Sequence, residues 1–111
     1  MPVKKNFGYT SEKIKDTVSR SVIHTDNLMI AVIEFTGGPC VEPDPPHFHP
    51  HEQVSYIAEG EIIFYCEGEP DEHLKKGDMF AVPSGKKHTI RLLTDKVRIV
   101  DSFTPVREDF L

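Results

Sequence analysis

The sequence predicts an all-β fold, a sandwich or a barrel, on three observations. Nine prolines and seven glycines punctuate the 111 residues at short intervals, and such residues mark turns. Between them lie short runs rich in Val, Ile, Phe and Tyr, the composition of strands in sandwiches and barrels. Helical periodicity is almost absent: the sole candidate, Ser11 to Asp16, has too few apolar positions to pack a helix.

The elements follow in order. Thr17 to Thr25 and Leu28 to Thr36 read as strands joined at Asp26-Asn27, a good tight-turn pair. Gly37 to Pro46 reads as a loop. Gln53 to Ala58 and Glu61 to Cys66 form a hairpin around Glu59-Gly60, and Glu67 to Asp71 is a turn. Short strands follow at His73 to Lys75 and Met79 to Val82, then the tight turn Pro83-Ser84-Gly85. His88 to Leu93 and Lys96 to Phe103 are the last strands, and Thr104 to Leu111 is an irregular tail. No repeat, low-complexity segment or long linker divides the chain.

Length and charge set the bounds. A chain of 111 residues suggests one domain, residues 1–111, large enough to bury a core without staples. A net charge of -5 with no Lys/Arg-dense stripe argues against nucleic-acid binding. The first twenty residues lack an apolar core, and no stretch is long enough to span a bilayer. The expectation is a cytoplasmic protein without a membrane partner. Two cysteines, Cys40 and Cys66, do not make a disulfide framework and are expected to be reduced.

The chemistry concentrates in two segments. The first runs Pro45-Pro46-His47-Phe48-His49-Pro50-His51-Glu52-Gln53, and the second Gly77-Asp78-Met79-Phe80-Ala81-Val82-Pro83-Ser84-Gly85-Lys86-Lys87-His88. In extended backbone His47, His49 and Gln53 project to one side, because residues two apart share a face. His88 arrives from another strand, so only a closed fold brings it to the other three. Three imidazoles and an amide on strand-like segments form a ligand set for one divalent transition metal ion: Ni, Zn, Mn, Fe or Cu. His51 has ligand parity too, but Pro50 disturbs the run, so it is read as a neighbour of the ligands or exposed. Glu52 has the wrong parity. His24 and His73 are read as surface or strand histidines.

Alternation adds a carboxylate. In the last strand Val97, Ile99, Asp101 and Phe103 share one face, and Arg98, Val100 and Ser102 the other. Asp101 then lies on the apolar face, a costly place for a charge without a task or partner. His88 shares parity with Ile90 and Leu92. After Pro105 the tail turns, and Arg107 is placed to fold back over the barrel mouth as a planar fork suited to a carboxylate. The same arginine has a second reading, in which it pairs with Asp101, Glu108 or Asp109 and pins the tail. Phe110 and Leu111 are expected to pack on the barrel or a partner subunit.

These residues resemble the cupin superfamily. Its first motif, G-x5-H-x-H-x3,4-E-x6-G, is matched by His47, His49, Gln53 and Gly60. Its second, G-x5-P-x-G-x2-H-x3-N, is matched by Gly77, Pro83, Gly85 and His88. The motif positions of a leading glycine, a glutamate and a closing asparagine hold Val41, Gln53 and Leu92. The resemblance implies a double-stranded β-helix, the cupin jelly-roll barrel. The His-x-His-Pro-His-Glu-Gln run together with Asp-x-Phe-x-Pro-x-Arg-Glu-Asp-Phe is similar to the small pectin-degradation cupins, which ketonise unsaturated uronates. That resemblance implies metal ligation by His47, His49, Gln53 and His88, and a substrate pocket lined by Asp101, Phe103 and Arg107. In this reading Asp101 shuttles a proton, Arg107 clamps the carboxylate of a small anionic substrate, and Phe103 covers the ring. The alternatives are a metal-dependent dioxygenase and a non-catalytic module that binds a small ligand. A homodimer is expected, because Val54, Tyr56 and Ala58 make the second face of their strand apolar as well; the other reading of that face is the inner face of a two-sheet sandwich.

Overall fold

The computed structural model describes residues 3–5 and 12–111. The described strands are β1 (Glu12–Lys15), β2 (Val18–His24), β3 (Met29–Phe35), β4 (Glu52–Glu59), β5 (Glu61–Cys66), β6 (Glu72–Lys75), β7 (Met79–Val82), β8 (His88–Leu92) and β9 (Val97–Thr104). They form two antiparallel sheets, one of six strands in the order β1-β2-β3-β9-β4-β7 and one of three in the order β6-β5-β8. This is the jelly-roll architecture of a double-stranded β-helix. The expected strands are all present, with ends shifted by at most one residue.

Strand β1 is the addition. The stretch too poor in apolar residues for a helix forms a four-residue strand, all exposed, paired to the edge of β2. Ser11 lies outside the described residues. Edge pairing rather than burial makes this strand, so no hydrophobic pattern announces it.

Alternation decides what faces inward. In β4 Gln53, Ser55 and Ile57 are buried, while Val54 and Tyr56 are 59% and 44% exposed. In β9 Val97, Ile99, Asp101 and Phe103 are buried, as the sequence predicts. Ile57, Ile62, Phe64, Val82, Leu92, Val97 and Ile99 fill the space between the sheets. Truncating Ile57, which is fully buried, to alanine is expected to cost about 2–5 kcal/mol. Met29, Ala31, Phe103 and Phe110 make a second, smaller cluster.

The site lies between these two clusters. Along the inner face of β9, Ile99 belongs to one cluster and Phe103 to the other, with Asp101 between them. Ser55, Asp101 and Ala31 stand opposite one another on three adjacent strands, as do Gln53, Phe103 and Met29. Gly60 closes the β4–β5 hairpin with φ 85. A Cβ there would lie 2.3 Å from the Lys96 carbonyl, so both the turn and the close approach require glycine. Among the described residues no helix is long and apolar enough to cross a membrane.

Candidate metal centre

His47 and His88 are joined by a bridge between their backbones. The His47 amide donates to the His88 carbonyl at 3.0 Å, and the His88 amide donates to the His47 carbonyl at 2.9 Å. This clamp brings the second motif to the first. One ring nitrogen each of His47, His49 and His88 lies within 4.8 Å of the other two, close enough to share a metal ion. His49 and His88 are buried, and His47 sits exposed at the rim.

Backbone carbonyls orient two of the rings. His49 Nδ1 donates to the His51 carbonyl and His88 Nδ1 donates to the Lys86 carbonyl, both at 2.9 Å. A carbonyl only accepts, so each Nδ1 carries hydrogen and each Nε2 of the neutral ring offers a lone pair. His88 Nε2 is buried and has no hydrogen-bond partner. His49 Nε2 lies 3.1 Å from Gln53 Oε1. The Gln53 amide nitrogen donates to Ser55 Oγ at 2.9 Å and to Asp101 Oδ1 at 3.2 Å. A flipped amide would set its oxygen against the Asp101 carboxylate, so the network fixes this orientation. Two acceptors, His49 Nε2 and Gln53 Oε1, therefore face each other at contact distance. Such a pair requires a proton or a cation between them.

The other two imidazoles of the cluster resist protonation. Burial, with His47, His49 and Arg107 nearby, holds His88 down to about 4, against the favourable bond to the Lys86 carbonyl. Burial, His49 and Arg107 also lower His47, against Asp44. His47 and His88 are thus kept neutral, His88 Nε2 is left without a partner, and this donor set fits a divalent cation held by His47, His49, His88 and the Gln53 oxygen.

Asp101 is the neighbouring titratable group. It is 6% exposed. Burial pushes its carboxyl up to about 6, against the hydrogen bonds from Ser55 and Gln53 and the charge of Arg107. The Ser55 hydroxyl donates to the same Oδ1 at 2.5 Å. Both bonds end on one carboxylate oxygen, leaving the other to exchange a proton. His47, Gln53, His88, Asp101, Phe103 and Arg107 line one cavity of about 170 Å³.

The tail completes the wall. Arg107 lies at the cavity with its side chain 14% exposed. Its Nε and Nη2 donate to Asp109 at 3.2 and 2.7 Å. Its guanidinium lies 4.1 Å from the Phe110 ring centroid and 5.3 Å from that of Phe103. Arg107 lines the cavity, and of the three carboxylates open to it in the sequence it pairs with Asp109 rather than Asp101 or Glu108. Phe110 packs edge-on to Phe103, whereas Leu111 is exposed.

His51 stays outside the three-histidine cluster. Its carbonyl orients His49, its ring lies 5.6 Å from that of His49, and its Nδ1 is buried without a partner. Glu52 is exposed, as its parity predicts. His24 is exposed, and exposed His73 bonds Glu61. The sequence reading did not single out Ser55, although it shares the parity of Gln53 and stands opposite Asp101. Its place between two named site residues was the available signal.

Family comparison agrees with the geometry. The model of the cupin domain matches residues 32–103. This chain is a cupin. Pectin degradation protein KdgF of Dickeya dadantii is 32% identical over 102 residues, covering 90% of this chain and 89% of that protein. The structure of KdgF from Halomonas sp. superposes with a TM-score of 0.85 at 28% identity, covering 96% of this chain and 97% of that one. An RmlC-like cupin from Shewanella frigidimarina gives a TM-score of 0.86 at 32% identity, with 97% and 94% coverage. The chain is a cupin of the pectin-degradation type.

Proposed function

We propose that this cupin ketonises unsaturated uronates, converting the cyclic enol form to a linear keto acid. The observation that carries the reading is one cavity lined by histidines, a buried carboxylic acid and an arginine, in a chain related to KdgF along most of its length. Ketonisation is an isomerisation: the anomeric hydroxyl loses a proton as the bond from its carbon to the ring oxygen breaks, leaving an aldehyde, and the enolate released takes a proton on a carbon of the double bond and becomes a ketone. One acid–base group that returns to its starting state suffices. Asp101 is that group, held by Ser55 and Gln53 through one oxygen. Arg107 binds the uronate carboxylate, and Phe103 packs beside the sugar ring. His47, His49, His88 and Gln53 hold a divalent metal, which supplies Lewis acidity toward negative charge developing on a substrate oxygen.

The neutral glutamine has a use in this scheme. A glutamate there would set a second carboxylate against Asp101 Oδ1, where the amide now donates a hydrogen bond. Gln53 therefore leaves the cation's charge uncancelled and keeps Asp101 free of an anionic neighbour. The test is an assay on unsaturated galacturonate under nitrogen, with product followed by NMR. Linear keto acid formed at a rate independent of oxygen supports the reading. Binding without product, or turnover that requires oxygen, replaces it with a binding module or a dioxygenase.

The partner of the outer sheet face is a second copy of this chain. Two cross-strand rows are mostly apolar: Ile30, Ser102, Val54, Ala81, and Val32, Val100, Tyr56, Met79. The next row pairs Arg98 with Glu34 at 2.7 Å and Glu59 at 3.9 Å. A neutral apolar centre bordered by a row carrying both signs is compatible with its own copy across a twofold axis. Light scattering on the native protein and on Tyr56→Glu checks this: dimer for the first, monomer for the second. A monomeric native protein removes the assignment.

A further inference from the structure

Arg107 is held by Phe110, which lines the cavity beside it, and by Asp109, which does not. Its Nε–Nη2 edge is occupied by both oxygens of Asp109, and Asp109 is 60% exposed while Arg107 is 14% exposed. A guanidinium fork gripped at one edge keeps its remaining N–H groups in a fixed plane. The Phe110 ring lies against the same guanidinium. A second arginine lies on that ring: Arg20 of β2, 3.7 Å from the Phe110 centroid. Its side chain is 14% exposed, its nearest carboxylate is exposed Glu12 at 3.8 Å, and its Nε is buried without a hydrogen-bond partner among the described residues. A buried guanidinium with so little hydrogen bonding is held chiefly by the aromatic face. Two positive charges thus meet one phenylalanine, closer than a Debye length of about 8 Å at physiological ionic strength.

The short 3-10 turn Glu108–Phe110 ties these contacts together, with the Phe110 amide donating to the Arg107 carbonyl at 3.0 Å. Arg20 thereby docks Phe110, and Phe110 and Asp109 fix Arg107. We propose that Arg20 and Asp109 are positioning residues that aim Arg107 at the cavity, so that the docked C-terminal turn, rather than Arg107 alone, sets selectivity for a carboxylate-bearing ligand. This rests on the reading of Arg107 as the carboxylate clamp. Neither residue lines the cavity. Asp109 fixes the plane of the fork, and Arg20 fixes the ring on which it lies.

The experiment compares binding of D-galacturonate and its methyl ester by isothermal titration. The readout is the acid-to-ester affinity ratio, because lost packing weakens both ligands whereas misaimed arginine affects only the acid. Native protein is expected to favour the acid by roughly tenfold, and Arg107→Met to abolish that preference. Asp109→Asn, a surface change that leaves folding intact, is expected to reduce the ratio at least fivefold. Arg20→Met is expected to do the same and Arg20→Lys, which keeps a cation on the ring, to restore it. Glu108→Gln is the control and leaves the ratio unchanged. Native protein with no preference for the acid overturns the clamp itself. A native preference retained in both Asp109→Asn and Arg20→Met overturns the positioning role while leaving the clamp standing.

Discussion

The two sides of the cavity are built differently. The histidine side is held by backbone contacts: a carbonyl fixes each of two rings, and a two-bond bridge ties His47, which with His49 lies outside the strands, to His88 of β8. The arginine side is made by the short turn at the end of the chain and by the side chains of Asp109, Phe110 and Arg20. The cupin match itself stops at Phe103, before this second wall begins. Rigid elements hold geometry to tighter tolerance than loops do. The histidine wall is therefore expected to be insensitive to the tail.

The largest expected effect lies at the seam between the two walls. Asp101→Asn should lower turnover of unsaturated uronate by about 10²–10⁴, the usual share of a general acid–base group, with metal content by elemental analysis unchanged. Turnover equal to the native rate removes Asp101 from the mechanism. Next, His49→Ala or His88→Ala should weaken metal affinity by more than the roughly 10–100-fold typical of residues that merely support a ligand, while Arg107→Met leaves it unaltered. Metal loss in Arg107→Met would show that the two walls are not separable.

A smaller effect tests the boundary from the metal side. Gln53→Glu adds a negative charge to the ligand set and should tighten metal binding by roughly tenfold. The same change places a carboxylate beside Asp101 Oδ1, where the Gln53 amide now donates at 3.2 Å, and should raise the Asp101 pKa further. Tighter metal with poorer turnover is the expected pair, read by competition with a chelating dye and by the rate assay. Improvement in both would mean that Gln53 acts on the metal alone.

How much of this the sequence disclosed follows the same division. Parity found Gln53 and Asp101, because both lie in unbroken strands where residues two apart share a face. Paired motif spacings found His47, His49 and His88. The tail was legible only in part. Arg107 was placed at the mouth, but its partner stayed open among three carboxylates, since a turn has no period to choose between them. Arg20 was not legible at all: its contact with Phe110 joins residues ninety positions apart and leaves no local pattern. Strand β1 was missed for a related reason, its one apolar residue, Ile14, being 44% exposed.

The smallest effect is one of slope, and it distinguishes two buried groups of the seam and the metal wall. In metal-free protein the folded state keeps Asp101 protonated up to about 6 and keeps His88 neutral down to about 4. The unfolded chain does the reverse, because the ordinary values are 3.8 for the carboxyl and 6.5 for the imidazole. Between the folded values each state carries one proton on this pair, so their linkage contributions cancel and the pair adds no slope to stability. Asp101→Asn removes one member. Taken alone, the raised carboxyl favours folding below its unfolded value and loses that contribution as pH rises through its folded value. The variant lacks that loss, so its stability relative to native protein should climb across the same window, by at most about 1.4 kcal/mol per pH unit. The depressed His88 remains and keeps its contribution above its unfolded value, losing it as pH falls. Urea titrations of both proteins at several pH values in chelator measure the difference. A constant difference across that window would mean that Asp101 titrates as an ordinary carboxylate, and the seam would then hold a spectator rather than an acid.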